Sequence, residues 1–491
     1  MDQGLDEIIL HCCESSPTEP CLWWRGAWWS RGALNEMASE CERHLVESGF
    51  SARQRLGLVL PNSPLFLASC IAAWRLGGTV VPVNPMLKYP SVPEYLKSVG
   101  VFGAVVSREM EGMADFINGH GIPAASADLG DAVPEMRGRS GTPDPDSGTA
   151  ALFHTAGAGG DVKAVPITHR NITSLLSSVL ETIPLMDEDD VVLNAIPNYH
   201  SLGFVVGGIM PLASGISQVL VPSFASPKTT MSAIRGAGVT IIPALPIMLG
   251  MLLGGERDIT PVSKVKMVFY GGGELMPGIA RRVKEIFGVE PLEGYGLTEA
   301  SSVLAVTPSE DAIRPGTSGR ILPCFEAKVC DREGNSLPFD SDGRLWIRGD
   351  ALASGYYGRG APSAERFRDG WFDTQDIVRV DSDGFITIVS PVVDVIMAGG
   401  VPVYPGEIEA ILKGHPEIED AAVIGIPRGT KGELARAFVV LKEGSALRPR
   451  DIVLYGRSKL PNYKAPRSVR ILNELPKDNL GKVLKKELRG A

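Results

Sequence analysis

Histidine and cysteine are both scarce, seven of each in 491 residues, and what they fail to form excludes several chemistries. Cys12, Cys13, Cys21, Cys41, Cys70, Cys324 and Cys330 make no C-x-x-C pair and stand at no zinc spacing from a histidine, so a structural zinc site is not expected. Their odd number also rules out a fully paired disulfide framework, and reduced thiols in a cytoplasmic protein are the expectation. His11 beside Cys12 and Cys13 could ligate a metal, while packing or surface thiols are the plainer account of the same residues. Basic residues are in the minority, 48 against 57 acidic ones for a net charge of −9. An overall basic footprint for nucleic acid or anionic lipid is therefore missing. Asp2, Asp6 and Glu7 stand before any apolar run, the wrong charge for a secretory or mitochondrial leader. The Walker pattern G-x-x-x-x-G-K-[ST] is absent, and no convincing dinucleotide fingerprint takes its place.

What is present reads as an ordinary globular chain, 44% hydrophobic and 21% charged, too long for one core and therefore of at least two domains. Residues 201–227 and 236–255 carry no charge, which raises the question of membrane spans. Gly207, Gly208, Pro211, Gly215 and Pro222 interrupt the first run and Pro243, Pro246 and Gly250 the second, so buried helix and strand pairs are expected. Such segments also suit the wall of an apolar pocket. Ser30 precedes Leu34, Met37, Cys41 and Leu45, whose spacing predicts one apolar face on a capped helix. Strands are expected at 58–60 and 79–83 around a helix that starts at Asn62-Ser63-Pro64, a βαβ rhythm that 101–107 and 124–127 continue. Residues 138–148, rich in Gly, Pro, Ser and Asp, read as a linker. Buried strands at 239–242 and 265–270, each followed by a helical pattern, predict a second doubly wound layer. From Gly319 the pattern turns to short alternating strands, at 327–329, 344–347 and 385–388, as in a small barrel-like piece. A smaller α/β unit follows from Pro405, and the boundary falls near Val389-Ser390-Pro391.

Four motifs then occur in order. Gly294-Tyr295-Gly296-Leu297-Thr298-Glu299 puts a ring, two pliant glycines, a hydroxyl and a carboxylate directly after a probable strand, where they could meet a base, a phosphate and Mg2+. Trp371-Phe372-Asp373-Thr374-Gln375-Asp376 comes next, then Tyr404-Pro405-Gly406-Glu407-Ile408-Glu409, then Gly481-Lys482. In that order and spacing the set resembles the adenylate-forming superfamily of acyl-CoA synthetases, luciferases and peptide-synthetase adenylation domains, over nearly the whole chain, from Asn62 to Leu488.

The resemblance implies an α/β architecture: a large N-terminal adenylation domain (1–389) of two doubly wound subdomains plus a small distorted β-barrel, a hinge (390–394), and a mobile C-terminal lid (395–491). It also implies a site. Residues 154–163 resemble the family's phosphate loop, with Thr155, Gly157, Gly159, Gly160 and Lys163 toward phosphate, although Ala156, Ala158, Gly159 and Val162 stand where that loop has Ser, two hydroxyls and Pro; a flexible hairpin is the rival reading. Gly272, Gly273 and Glu274 would lie along adenine, with Tyr295 on its other face and Gly296 beside it; a plain strand-end turn is the alternative. Thr298 would bind the α-phosphate, Glu299 would hold Mg2+, and Asp376 would accept from the ribose hydroxyls rather than cap a surface turn. Gln375 replaces the family's usual Gly, Ser390-Pro391 its Gly-Arg, and Met397 a common Lys. Lys482 matches the adenylating lysine, as against an ordinary tail lysine such as Lys485. His200 stands where amino-acid-activating relatives have an Asp for the substrate ammonium and acyl-CoA ligases a His, so it reads as part of an acyl pocket with Gly203, Gly271 and Gly272, or as a satisfied core histidine. Gly399 and Gly400 would pass the pantetheine arm. ATP, Mg2+ and coenzyme A are the implied cofactors. The expected activity is two-step ligation of a fatty or aryl acid to CoA, with an acyl carrier protein as alternative acceptor and a nucleotide-binding pseudoenzyme, motivated by Ala158, Gly159 and Pro391, as the rival.

Overall fold

A computed structural model of the chain describes residues 4–85, 87, 91–136, 148–156, 162–183, 186–222, 226–254, 260–273, 275–331, 333–358, 365–390, 396–398, 401–403, 405–428, 432–476, 483 and 485–489. It divides into two compact units, Met1–His154 with Ala164–Ser390, and Thr155–Lys163 with Pro391–Ala491.

Two large sheets build the first unit. The smaller runs Ala124–Ala127, Gly103–Ser107, Arg55–Val59, Thr79–Pro82, Thr149–Ala156 and Val162–Thr168 in spatial order. Its first five strands pair in parallel, and strands buried on both faces are near-continuous in apolar residues, as Arg55–Val59 and Gly103–Ser107 are here. Arg55 explains why the sequence placed the first of these strands too late, at 58–60. A charged residue reads as loop, yet this one is fully buried, donating from Nη1 to the Val99 carbonyl at 2.8 Å and lying 4.5 Å from the centre of the Tyr357 ring.

In the larger sheet the order is Arg320–Ile321, Ala305–Val306, Pro291–Tyr295, Met267–Gly271, Ile241–Ala244, Val191–Asn194, Ser217–Leu220, Pro20–Trp24 and Ala27–Ser30. Neighbours from Pro291–Tyr295 to Pro20–Trp24 pair in parallel, and short antiparallel strands close both edges. Parallel pairing brings the carboxyl ends of Val191–Asn194, Met267–Gly271 and Pro291–Tyr295 to one side, the place where open α/β sheets bind ligands.

The helix Pro64–Arg75 is buried from Pro64 through Trp74. Pro64 sets its first turn, and the Ser63 hydroxyl accepts from the Phe66 N–H at 3.2 Å. Ser30 caps Arg31–Glu47 in the same way, through Ala33. Phe204 packs edge to face on Phe66, Trp74 and Phe153; each fully buried ring contributes roughly 1.5–3 kcal/mol. The run 201–227, expected as a buried helix and strand pair, holds a π-helix over Gly203–Ile209, a return to α over Met210–Ala213 and the strand Ser217–Leu220.

Where the barrel-like piece is expected stands an antiparallel five-stranded sheet, Phe325–Cys330, Gly343–Gly349, Phe367–Arg368, Trp371–Val380 and Ile386–Ser390. In the second unit Ile418–Pro427 pairs antiparallel with Glu433–Leu441, which runs parallel to Ser468–Leu472. Ile408, Leu412, Val423, Val439 and Ile452 belong to its own buried core. The mixed α/β class and the large-then-small organisation are those the sequence predicts.

Candidate active site

The Tyr295 hydroxyl donates to Asp376 Oδ2 at 2.5 Å, across 81 residues of sequence. This bond joins the end of a parallel strand to the five-stranded sheet. Burial and the Asp376 charge push the Tyr295 phenol well above its ordinary pKa, so it stays a donor at any physiological pH. The chain reverses immediately after Tyr295, where a Cβ on Gly296 would lie 1.8 Å from the Ser302 carbonyl oxygen. Only glycine fits that approach. Thr298–Ala300 is a single 3₁₀ turn, and Ser301 and Ser302 follow at positive φ, 55° and 107°. Those two unfavourable conformations hold the turn's side chains beneath the strand end.

Glu299 is 8% exposed. Its Oε1 accepts from the Tyr356 hydroxyl at 2.7 Å, whose own pKa is driven up by burial and by this carboxylate. One carboxylate with a second oxygen suits Mg2+, which binds through one or two carboxylates together with water and substrate phosphates. Among the described residues no group of three or more His, Cys, Asp or Glu side chains could hold a metal ion. Gly271 and Gly294 pair directly, and Gly272 adopts φ 78°, so the backbone can turn away flat at the neighbouring strand end.

Asp376 sits on a bulge. The ladder pairs Arg344 with Ile377 but Trp346 with Asp373, which leaves residues 374–376 looped out opposite Leu345. Gln375 takes φ 66°, a left-handed conformation that glycine adopts more readily than any residue with a Cβ. Asp373 Oδ1 accepts from the Gln375 N–H at 2.9 Å, and the Thr374 hydroxyl accepts from the Asp376 N–H at 3.1 Å and donates to the Leu345 carbonyl at 2.9 Å. Arg366 recaptures the two carbonyls the bulge frees, from Nε to Asp373 at 2.6 Å and from Nη2 to Thr374 at 3.2 Å.

His200 lies in a turn at the carboxyl end of Val191–Asn194, half-buried with Tyr199 packed 4.7 Å from its ring. Its N–H donates to the Pro197 carbonyl at 3.0 Å and its carbonyl accepts from Phe204 at 2.9 Å. The next residue, Ser201, donates its hydroxyl to Thr298 Oγ1 at 3.4 Å, which brings the His200 turn to the Thr298–Glu299 turn. Gly203 is buried, and a Cβ there would meet the carbonyl oxygens of Pro197 and Ile196 at 2.4 and 2.5 Å, a packing reason for that glycine.

Tyr295, Thr298, Glu299, Asp376, Gly271 and the His200 turn thus come together. Lys163 is the second residue of the strand Val162–Thr168 and half-buried, and Thr155 lies in Thr149–Ala156. Gly157, Gly159, Gly160, Glu274, Pro391, Gly399, Gly400 and Lys482 lie outside the described residues, and Gly273 follows Gly272 in the strand-end bend. Sequence reasoning missed Tyr356, Ser201 and Arg366, because each acts through a partner distant in sequence or through freed backbone carbonyls. Thr374 and Asp373 were in view inside the 371–376 motif but carried no assigned task.

The profile of the AMP-binding enzyme family matches residues 10–357, and that of the AMP-binding enzyme C-terminal domain matches residues 407–482. The feruloyl-CoA synthase of Amycolatopsis sp is 29% identical over 99% of this chain and 99% of its own. The long-chain-fatty-acid–CoA ligase of Salmonella typhimurium is 26% identical over 99% of this chain and 94% of its own. The solved o-succinylbenzoate CoA synthetase of Bacillus subtilis has the same fold, with a TM-score of 0.84 at 22% identity over 100% of this chain and 99% of that one. With strand-end glycines, a Tyr-to-Asp link and a buried carboxylate assembled in one place and the family profile spanning most of the chain, this protein belongs to the AMP-binding enzymes.

Proposed function

We propose that this chain is an ATP-dependent acid–thiol ligase that activates a fatty or aryl carboxylic acid as acyl-AMP and passes the acyl group to coenzyme A. The observation that carries the reading is the convergence of Tyr295 at a parallel strand's end, Thr298 and Glu299 in the turn after it, and Asp376 on the bulge of the five-stranded sheet. The names of the relatives, feruloyl-CoA synthase and long-chain-fatty-acid–CoA ligase, support both the reaction and the two substrate classes.

In the first half-reaction a substrate carboxylate oxygen bonds to the α-phosphorus of ATP and the bond to the pyrophosphate oxygen breaks. Asp376 accepts from the ribose while its bond from Tyr295 keeps the ring in place against adenine. Because the Thr298 oxygen already accepts from Ser201, its own proton is directed outward, toward an α-phosphate oxygen. Glu299, held by Tyr356, would be the residue to hold Mg2+, which would supply positive charge against the phosphates. By the family resemblance Lys482 would contribute a positive charge as two anions approach, and Lys163 with Thr155, Gly157, Gly159 and Gly160 would serve the departing phosphates. In the second half-reaction the thiol sulfur attacks the acyl carbon and AMP leaves with the bonding pair. The domain 395–491 turns about residues 390–394 between the two, and Gly399 and Gly400 admit the pantetheine arm.

His200 offers no anion for an ammonium group, so apolar acids are the substrates rather than α-amino acids. Among the described residues no helix is long and apolar enough to cross a membrane, and the seven free thiols agree with a reducing cytoplasm. Acid-dependent exchange of labelled pyrophosphate into ATP, run over aliphatic, aryl and amino acids with CoA thioester formation followed in parallel, tests the proposal. Exchange with apolar acids and thioester with CoA are expected. Exchange only with amino acids, thioester only on a carrier protein, or no exchange at all would each overturn a named part of it.

A further inference from the structure

Beneath the His200 turn runs a chain of carboxamides shut away from solvent: Asn62, Asn194 and Gln218 are 2%, 0% and 0% exposed. Asn62 Nδ2 donates to the carbonyls of Asn194 and Ile196 and to Asn194 Oδ1, at 3.2, 2.9 and 3.0 Å, while its Oδ1 accepts from the Asn198 N–H at 2.7 Å. Asn194 Nδ2 donates to Gln218 Oε1 at 2.8 Å, and Gln218 Nε2 to the Gly208 carbonyl at 3.0 Å.

Gly208 lies within the π-helical segment. There Met210 donates to Val205, five residues back, the wider winding that marks the π register. The Gln218 bond to the Gly208 carbonyl ties that register to the strand Ser217–Leu220. Gly207 makes room for the chain: a Cβ there would stand 2.9 Å from Asn194 Oδ1. One end of the chain therefore grips the backbone two residues before His200, and the other grips the helix five residues after its first π residue.

We propose that Asn62, Asn194 and Gln218 are positioning residues for the acyl end of the site, fixing together the turn that carries His200 and the π-helical register behind it. The proposal rests on the reading of His200 as part of the acyl site. Buried amides bonded in series act as a unit, since each bond orients the group that makes the next.

Gln218→Met removes both bonds at nearly constant volume. Gln218→Glu keeps the acceptor for Asn194 but turns a second acceptor toward Gly208. Gly207→Ala deletes no polar group and presses on Asn194 from outside, so it serves if the others fold poorly. Each variant is assayed for acid-dependent pyrophosphate exchange with saturated acids of increasing length, with active sites titrated. The expected result is an acid KM raised about tenfold, equivalent to ~1.4 kcal/mol or one net hydrogen bond, an altered length preference and an unchanged KM for ATP. Gln218→Met with Asn194→Leu should be little worse than either alone. A fall in kcat with both KM values and the length preference unchanged would mean a merely structural role and overturn the proposal. His200→Ala separates the two claims. If it raises the acid KM while the network variants do not, the network proposal fails alone; if it leaves the acid KM unchanged, the acyl-site reading fails and the network proposal with it.

Discussion

A Cβ on Gly296 would stand 1.8 Å from the Ser302 carbonyl oxygen, and neither backbone can yield without moving the turn that presents Thr298 and Glu299. Gly296→Ala should therefore fold with the turn that carries Thr298 and Glu299 displaced and lose on the order of 10²-fold in adenylation rate, the usual penalty for misplacing reacting groups by an ångström. Retention of full exchange activity would show that the turn is not needed in this geometry. Tyr295→Phe is a gentler probe of the same place, since it keeps the ring and deletes the donor to Asp376. It should raise the KM for ATP roughly fivefold, about 1 kcal/mol for one partly exposed hydrogen bond, with the KM for the acid unchanged; a shift confined to the acid would remove Asp376 and Tyr295 from the nucleotide site. At this scale the sequence was legible wherever one short word holds both the chemistry and its scaffold, as in 294–299 and 371–376. It was silent on Tyr356, which holds Glu299 from 57 residues away, and on Arg366, because a donor to freed carbonyls is defined only once a bulge exists to free them.

Helices and strands carry a second lesson. A buried helix and strand pair was expected in 201–227, but the π winding of Gly203–Ile209 was not legible, because hydrophobic periodicity distinguishes windings only where polar residues mark the solvent side, and this charge-free run offers no such mark. Capped helices were clear for the opposite reason, Ser30 and Ser63 being polar residues at the head of apolar runs. One docking contact was invisible in sequence and gives an element a pH dependence. The helix Leu5–Ser15 is tied by the Leu5 N–H to His169 Nδ1 at 3.1 Å, which requires a neutral ring. Burial lowers the His169 pKa from 6.5, with Asp6 opposing it. Above that value folded and unfolded chains are both neutral and this stability is fully present. As the pH falls below it the unfolded chain binds the proton first, so stability is lost down to the folded pKa. The urea midpoint of the wild type should therefore fall between about pH 7 and about pH 5.5 more steeply than that of His169→Gln. Parallel profiles would assign the slope to other groups.

The whole molecule poses the question of how one site serves two reactions. The chain separates into two compact units with a break at Ser390/Pro391, and the C-terminal family profile covers residues 407–482, with Lys482 at its end. If the small domain alternates between an adenylating and a thiolating pose, Lys482 contacts substrate only in the first. Lys482→Ala should then cut acyl-AMP formation by at least about 10²–10³-fold, the loss that follows removal of one oriented donor from a developing anion. Transfer of the acyl group from chemically supplied acyl-AMP to CoA should proceed at nearly the wild-type rate, because that half-reaction uses another surface of the domain. The two rates are measured separately, by pyrophosphate exchange and by single-turnover thioester formation. Equal losses in both would place Lys482 in a fixed site and rule out alternation, whereas no loss in either would return it to the ordinary lysines of the basic tail.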